Sequence, residues 1–330
     1  MPNANQTRIV PYWRKIFAFA AWQLRDEGPR EAVRAIWGAV RALRRYAQHE
    51  RLFNIRPFER YLTVGNRADL LFHLTHRHFL CNDLSLSERV ECALRHFTCE
   101  DLRYSDSYHA AVYAGAGIQL WCATVGGVRY SIRLGSSVSL RHEGPVSVVL
   151  LADDVHLHEA SFAWVDSRIL GGENPTDTEL FVTRNQSVRP DSAELAQFRS
   201  DFRQNSPSYF CLAAIHGIAL SHQVSRIVGI RHDLQIAFDP KFTTGFKNSY
   251  CDFWLQFGGI SLGWRGSAMP VPTEVAPIAS VKAKHRARAR SRRMFWAQIC
   301  DETVDVLSRY RPTQGTSQPI SPVPVADVVL

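Results

Sequence analysis

Six basic residues, Lys282, Lys284, Arg286, Arg288, Arg290 and Arg292, alternate through the stretch VKAKHRARARSRRMFW, and Arg293 adds a seventh charge. No acid stands between Glu274 and Asp301. Such a run is suited to binding anions. As a strand it would put six charges on one face. As a helix, each two-residue step turns about 200°, and the charge divides between two opposite sides. Ala283, Ala287 and Ala289 favour the helix. Basic charge in the first turns of a helix opposes its macrodipole by tenths of a kcal/mol per residue, which suggests that the charge serves a partner. An anionic lipid or envelope glycolipid surface would gain about 1 kcal/mol per basic residue. Nucleic acid or a phosphorylated ligand is a second class of partner, but no recognised binding motif accompanies the run and no aromatic interleaves it before Phe295. A solvated helix face is the plain alternative.

Other chemistry-bearing groups are sparser. On a helix His73 and His76 share a face and His78 does not, with no acid nearby to complete a metal site. His156 and His158 alternate on a strand and point to one face while Glu159 points to the other; two ligands do not define a site, and no metal is expected. There is no G-x-S-x-G elbow, no Walker A and no G-x-G-x-x-G. Gly115 and Gly117 read as tight packing, and Asp153-Asp154 as turn residues. Tyr250 and Trp254, four apart in SYCDFWLQFGGISLGW, share a helix face ahead of Gly258-Gly259. They either anchor that helix to a sheet or line a pocket.

The elements that must position these residues follow from composition and pattern. The chain has 330 residues, 45% apolar and 11% aromatic, enough for a substantial core. Its net charge is +8, and the basic stretch carries seven of those charges, so the basicity is local. Seven widely spaced cysteines without C-x-x-C predict reduced thiols and a cytoplasmic protein, free or peripheral to the inner membrane. No apolar run reaches the length of a membrane span. Ile16–Leu24 follows Arg14 and Lys15, but its apolar run is too short for a secretory signal.

Residues 9–50 read as two helices broken at Gly28-Pro29. An apolar stripe of Trp22, Val33, Ile36, Trp37, Val40 and Leu43 runs among Arg34, Arg41, Arg44 and Arg45. This is either a helical cap packed on the main domain or a basic amphipathic element on a membrane surface. Residues 66–100 look helical, with Ser85 or Ser87 as a cap. A hairpin at Gly126-Gly127, a turn near Ala152–Asp154 and the strand at 179–183 predict an antiparallel sheet of about four or five strands. Residues 191–223 are helical with a break at Ser206-Pro207. Strands are expected at 226–231 and 234–238, a short helix at 248–259, a strand at 260–264, and a last helix on Met294, Phe295, Ile299, Val306 and Leu307. The fold class is α+β: a central, mostly antiparallel sheet flanked by helices. The expected parts are a basic helical segment at 1–50, a main domain at 51–310 (helical to 105, then sheet plus helices), and a flexible Pro/Ser-rich tail at 311–330.

Four blocks carry a resemblance: Asn205-Ser206-Pro207 before an apolar helix, Arg226–Arg231 (RIVGIR), Tyr250–Trp254 (YCDFW), and the Lys/Arg run at 282–293. In order and spacing the chain resembles the VirK/YbjX family of bacterial proteins over roughly residues 50–300. It departs from the family's glycine-arginine-proline-like run, of which only Ser206-Pro207 remains. The resemblance implies a role in virulence, envelope integrity or antimicrobial-peptide resistance, without naming a reaction. The element order from 179 to 264 is similar to the second half of GNAT acyltransferases. That likeness implies an acyl-CoA or other acyl donor, with Tyr250 and Trp254 lining its pocket and Gln186 and Arg189 near its phosphate end. The chain departs from it as well. Trp254 stands where a proton-shuttling tyrosine is common, and the glycine-rich pyrophosphate loop is replaced by Asn185–Pro190. A non-enzymatic protein that binds an anionic surface or nucleic acid through 282–293 is the other reading.

Overall fold

In a computed structural model of the chain, residues 6–61, 73, 77–136, 142–172, 177–187, 191–203, 205–263, 265–273 and 277–312 are described. Residues 66–72 and 74–76 of the helix expected over 66–80 (with His76), Arg189 and the tail from 313 lie outside them, and 77–80 are not helical, with Phe79 bridging Cys81.

The chain opens with a helical hairpin, α1 (Gln6–Asp26) and α2 (Pro29–Arg41). The break falls where expected: Gly28 takes a φ of 102°, open to glycine, and Pro29 starts α2 with its preset φ. Helix α1 buries Tyr12, Ile16, Phe19 and Trp22. The fully buried residues of helix α2 are all small, Ala32, Ala35, Gly38 and Ala39, with Ile36 half-buried beside them. The apolar stripe is therefore split: Trp22 is buried and Ile36 packs against the core, while its other members do not. Val33, Trp37, Val40 and Leu43 face solvent, because at about 100° per residue they lie beside the alanine face and not on it. Helix α3 (Tyr46–Leu52) anchors the hairpin: Tyr12 Oη pairs with His49 Nδ1 at 2.9 Å, and Lys15 Nζ donates to the Phe53 carbonyl at 3.0 Å.

Helix α4 (Leu86–Arg103) begins with a capping box in which Ser85 and Glu88 satisfy each other's backbone N–H. Glu88 also accepts from Arg265 Nη2 at 2.8 Å, so the cap is tied to a residue far along the chain.

Among the described residues the strands form one sheet in the order β1-β2-β3-β4-β5-β7-β9-β8, with β6 pairing on β4. Strands β1 (Ile118–Val125), β2 (Val128–Ser136), β3 (Val146–Ala152), β4 (Val155–Asp166) and β5 (Thr178–Val182) make the expected antiparallel meander. It turns at Gly126-Gly127 and at Asp153-Asp154, all four with positive φ. After the short β6 (Gln186–Ser187), α5 (Ala193–Asp201) and α6 (Pro207–His222), β7 (Arg226–Ile230) returns parallel to β5. This is the sheet's parallel pair, and a helix crossover is the connection it requires. Strands β8 (Ile260–Ser261) and β9 (Gly266–Pro270) finish the sheet beyond β7.

Two strand expectations change. Residues 234–238 form no strand: the Gln235 side chain is buried and accepts from Ala237 N at 2.5 Å, closing a turn. The strand expected at 260–264 stops at Ser261, where the chain bends back at Gly263 and pairs on β7 through Gly266–Pro270 instead. That strand, GSAMP, has neither β-branched residues nor alternation to announce it.

Helix α8 (Arg286–Ser308) begins inside the basic stretch and crosses α6 closely. A Cβ on Gly217 would lie 2.7 Å from both the Cys300 carbonyl and Thr303 Cβ. Met294, read as part of its buried stripe, is exposed. Trp121, Tyr130, Phe198, Phe202, Phe210 and Phe295 form an aromatic layer between β1, β2 and helices α5, α6 and α8. On β4, Trp164 stacks on His222 of α6 (3.9 Å) and donates from Nε1 to Glu100 of α4 at 2.8 Å. Burial pushes the Glu100 carboxyl up to about 7 against that bond.

Candidate functional site

Strands β5 and β7 are tied at their amino ends by Arg226, which bonds Glu179. Beyond their carboxyl ends lies a cluster of buried polar side chains. Arg184, just past β5, pairs with Glu143, and its Nε lies 3.7 Å from Glu159. Gln235 Nε2 donates to the other oxygen of Glu143 at 2.5 Å. Thr183 Oγ1 donates to the Glu143 carbonyl. Two carboxylates around one guanidinium, withdrawn from water, hold together only through such bonds.

The neighbouring layer is equally well defined. Burial holds His158 down to about 4, so it is neutral. Its Nε2–H then donates to Asn185 Oδ1 at 2.8 Å and its Nδ1 accepts from Ser187 Oγ at 3.3 Å. Asn185 Nδ2 donates to the Ser249 carbonyl at 3.1 Å. Two donors converge on the Tyr250 hydroxyl: Asn185 N at 3.3 Å and Gln186 Nε2 at 2.9 Å. Burial raises the Tyr250 phenol well above its usual range, so it keeps its proton.

The helical run α7 (243–256) lays Tyr250 and Trp254 over this end of the sheet, with a π turn at Asn248–Asp252. Trp254 is 1% exposed and lies flat on β7, where a Cβ at Gly229 would come within 2.0 Å of its ring. Its Nε1 donates to the Ile230 carbonyl at 3.3 Å. Of the expected pocket residues, Gln186 and Tyr250 are thus brought together. The Trp254 indole N–H is spent on β7, and Arg189 lies outside the described residues. Beside Tyr250, Cys251 Sγ lies 3.1 Å from Nδ1 of His232, which directly follows Arg231 at the end of β7.

The histidines at 156 and 158 do not share a face. Leu151 pairs with His156 and Leu150 with His158, so a bulge at Leu157 leaves His156 exposed and His158 buried. His73 is buried, and His78 Nδ1 contacts the Asn82 carbonyl at 3.2 Å. Among the described residues no group of three or more His, Cys, Asp or Glu side chains could hold a metal ion.

A second surface is the basic stretch. Lys282 and Lys284 are exposed in the turns ahead of α8, and Arg288 and Arg290 on its first turns; among the described residues none of the four has an ion-pair partner. Arg286 folds back to the carbonyls of Val281 (2.9 Å) and Ala279 (3.0 Å). Arg292 sits 4.7 Å over the Tyr209 ring, and Arg293 is half-buried. The stretch divides: four charges point to solvent while Arg286 and Arg292 hold the start of α8 in place.

Residues 30–305 match the family described as a protein of unknown function, DUF535. The chain belongs to that family. It is the family of the VirK/YbjX proteins, as the four sequence blocks implied. No curated protein and no solved structure matches the chain.

In this DUF535 chain, several members of the polar cluster carry no sequence signal. Glu143 and Arg184 are 41 residues apart, and His232 and Cys251 are 19 apart. The only hint was position: Arg184 and Asn185 directly follow one expected strand, and His232 directly follows another.

Proposed function

We propose that this protein works at an anionic membrane face, which it grips from outside without spanning it. The observation that carries the reading is the outer face of the N-terminal hairpin. Trp37, 63% exposed, stands with Val33 and Val40 on α2, Leu43 is exposed in the turn just after it, and Arg30, Arg34 and Arg41 are exposed on the adjoining face. Phe17 and Leu24 are exposed on α1, near Arg14 and Arg25. Apolar side chains beside arginines are what an interfacial helix presents to headgroups and acyl chains. The four solvent-facing charges of 282–290 add attraction of about 1 kcal/mol each near anionic lipid. No described helix is long and apolar enough to cross a membrane. A role in envelope integrity or antimicrobial-peptide resistance fits a protein held at that face.

Co-sedimentation with vesicles tests this. Binding to phosphatidylglycerol-containing vesicles but not to pure phosphatidylcholine is expected. It should weaken in Trp37→Ser/Val40→Ser and in Lys284→Gln/Arg288→Gln/Arg290→Gln. Equal binding by all three proteins refutes the reading, and duplex DNA that displaces the vesicles would assign the basic stretch to nucleic acid.

A second reading, acyl transfer, is favoured by the parallel pair. Where β5 and β7 run side by side, joined by α6, their carboxyl ends are where open sheets take ligands. The sheet order β4-β5-β7-β9-β8 with its helix crossover agrees with the GNAT-like element order. Calorimetric titration with acetyl-CoA and a long-chain acyl-CoA, repeated on Gln186→Leu, tests it; no heat from either donor counts against it.

A further inference from the structure

We propose that Cys251 and His232 form a nucleophilic pair whose thiol takes an acyl group from a thioester. That the thiol is activated stands on the geometry of the pair; that its electrophile is a thioester rests on the acyl-transfer reading above. Sγ and Nδ1 are 3.1 Å apart, within reach for a base to remove the thiol proton. Both residues are half-buried, so a reagent can reach them. They sit at the carboxyl end of β7, next in sequence to Arg231 and to Tyr250. Cys251 lies in the π turn of α7, a local distortion that often marks a functional position. The Arg231 guanidinium, paired with Asp233, also lies nearby.

The surroundings favour a hydrocarbon. Phe238 packs edge-on against His232 at 5.6 Å and against Phe246 at 5.4 Å, and Phe246 stacks on Tyr250 at 6.0 Å. Phe242 is exposed between them in sequence. An acyl chain could lie along this aromatic wall with its carbonyl at the sulfur. The other cysteines are poor candidates. Cys81, Cys92, Cys99, Cys211 and Cys300 have their thiols pushed up by burial, and Cys122 is exposed on β1.

The step balances without an oxidant. His232 Nδ1 takes the Cys251 proton as Sγ attacks the thioester carbonyl. The tetrahedral oxyanion collapses, the bond from carbon to the donor's sulfur breaks, and that thiolate leaves with the proton returned by His232. The product is an acyl thioester on Cys251.

Alkylation of the full chain with iodoacetamide at neutral pH, read by peptide mass mapping, tests the pair. Cys251 should react roughly tenfold faster than Cys122, which serves as an internal reference. In His232→Gln, shown folded by its thermal transition, the ratio should fall to about one by the same thiolate argument. A Cys251 no faster than Cys122, or a ratio unmoved in His232→Gln and in His232→Asn, overturns the pair. Incubation with octanoyl-CoA should then leave a hydroxylamine-labile octanoyl group on Cys251, absent in Cys251→Ser. Fast alkylation without that adduct overturns the thioester step. If calorimetry still detects octanoyl-CoA binding in that case, the acyl-transfer reading survives and only the covalent route fails.

Discussion

Replacing Glu100 by glutamine should stabilise this protein, increasingly as pH rises from about 5 through 7. Glu100 is fully buried beside Trp164, whose Nε1 donates to one of its carboxyl oxygens at 2.8 Å. Burial moves its carboxyl from 4.5 to about 7. A raised carboxyl favours the folded state while both states can hold the proton, and that advantage is lost as pH rises from 4.5 through 7. At about 1.4 kcal/mol per pH unit, the folded chain forfeits about 3 kcal/mol by pH 8. Glutamine keeps an acceptor for Trp164 and never ionises. Urea unfolding followed by far-ultraviolet circular dichroism at pH 5 and pH 8.5 reads the difference. Glu100→Gln should lie within about 1 kcal/mol of the parent at pH 5 and exceed it by about 3 kcal/mol at pH 8.5. A variant equally shifted at both pH values, or weaker at pH 8.5, would show that the charged carboxylate is well accommodated and the reasoning wrong.

Acid should act through histidine. Burial holds His49 and His96 down to about 3 and His158 to about 4. Their contribution is therefore full above pH 6.5 and falls by about 1.4 kcal/mol per pH unit each as pH drops toward those values; a Tm that does not fall between pH 7 and pH 5 refutes it. Gly229→Ala would drive a Cβ within 2.0 Å of the Trp254 ring, and Gly217→Ala one within 2.7 Å of Cys300 and Thr303. Both should lower stability by about 1–3 kcal/mol or more, Gly229→Ala the more strongly, in urea titrations. Vesicle binding should weaken steeply between about 0.05 and 0.5 M salt as surface charges are screened, leaving the contribution of Trp37 and its neighbours; salt-independent binding would remove the basic stretch from the interface.

What could be read from the sequence was whatever repeats locally. Gly28-Pro29, Gly126-Gly127 and Ser206-Pro207 place three breaks correctly because each acts on its own backbone. The stripe of Val33, Trp37 and Val40 was visible, but its partner was not: only the packing shows that alanine faces inward. The strand Gly266–Pro270 is made by its pairing with β7 and not by its own residues. The site was legible in part. Tyr250 with Gln186 emerged from element order, whereas the joining of Glu143, Arg184 and Gln235, or of Cys251 and His232, is a product of topology that no spacing encodes.

The alanine face of α2 has a consequence for motion. Helix α1 is held by Tyr12, Ile16, Phe19 and Trp22, but α2 is held by Ala32, Ala35, Gly38 and Ala39, which bury little surface apiece, and by a half-buried Ile36. Local opening is easiest where little apolar area is at stake. The amides of α2 should therefore exchange with deuterium well before those of α1 or β4, and the hairpin can part along its alanine seam while the sheet stays closed. An arriving lipid surface would meet a helix already free to re-aim its tryptophan.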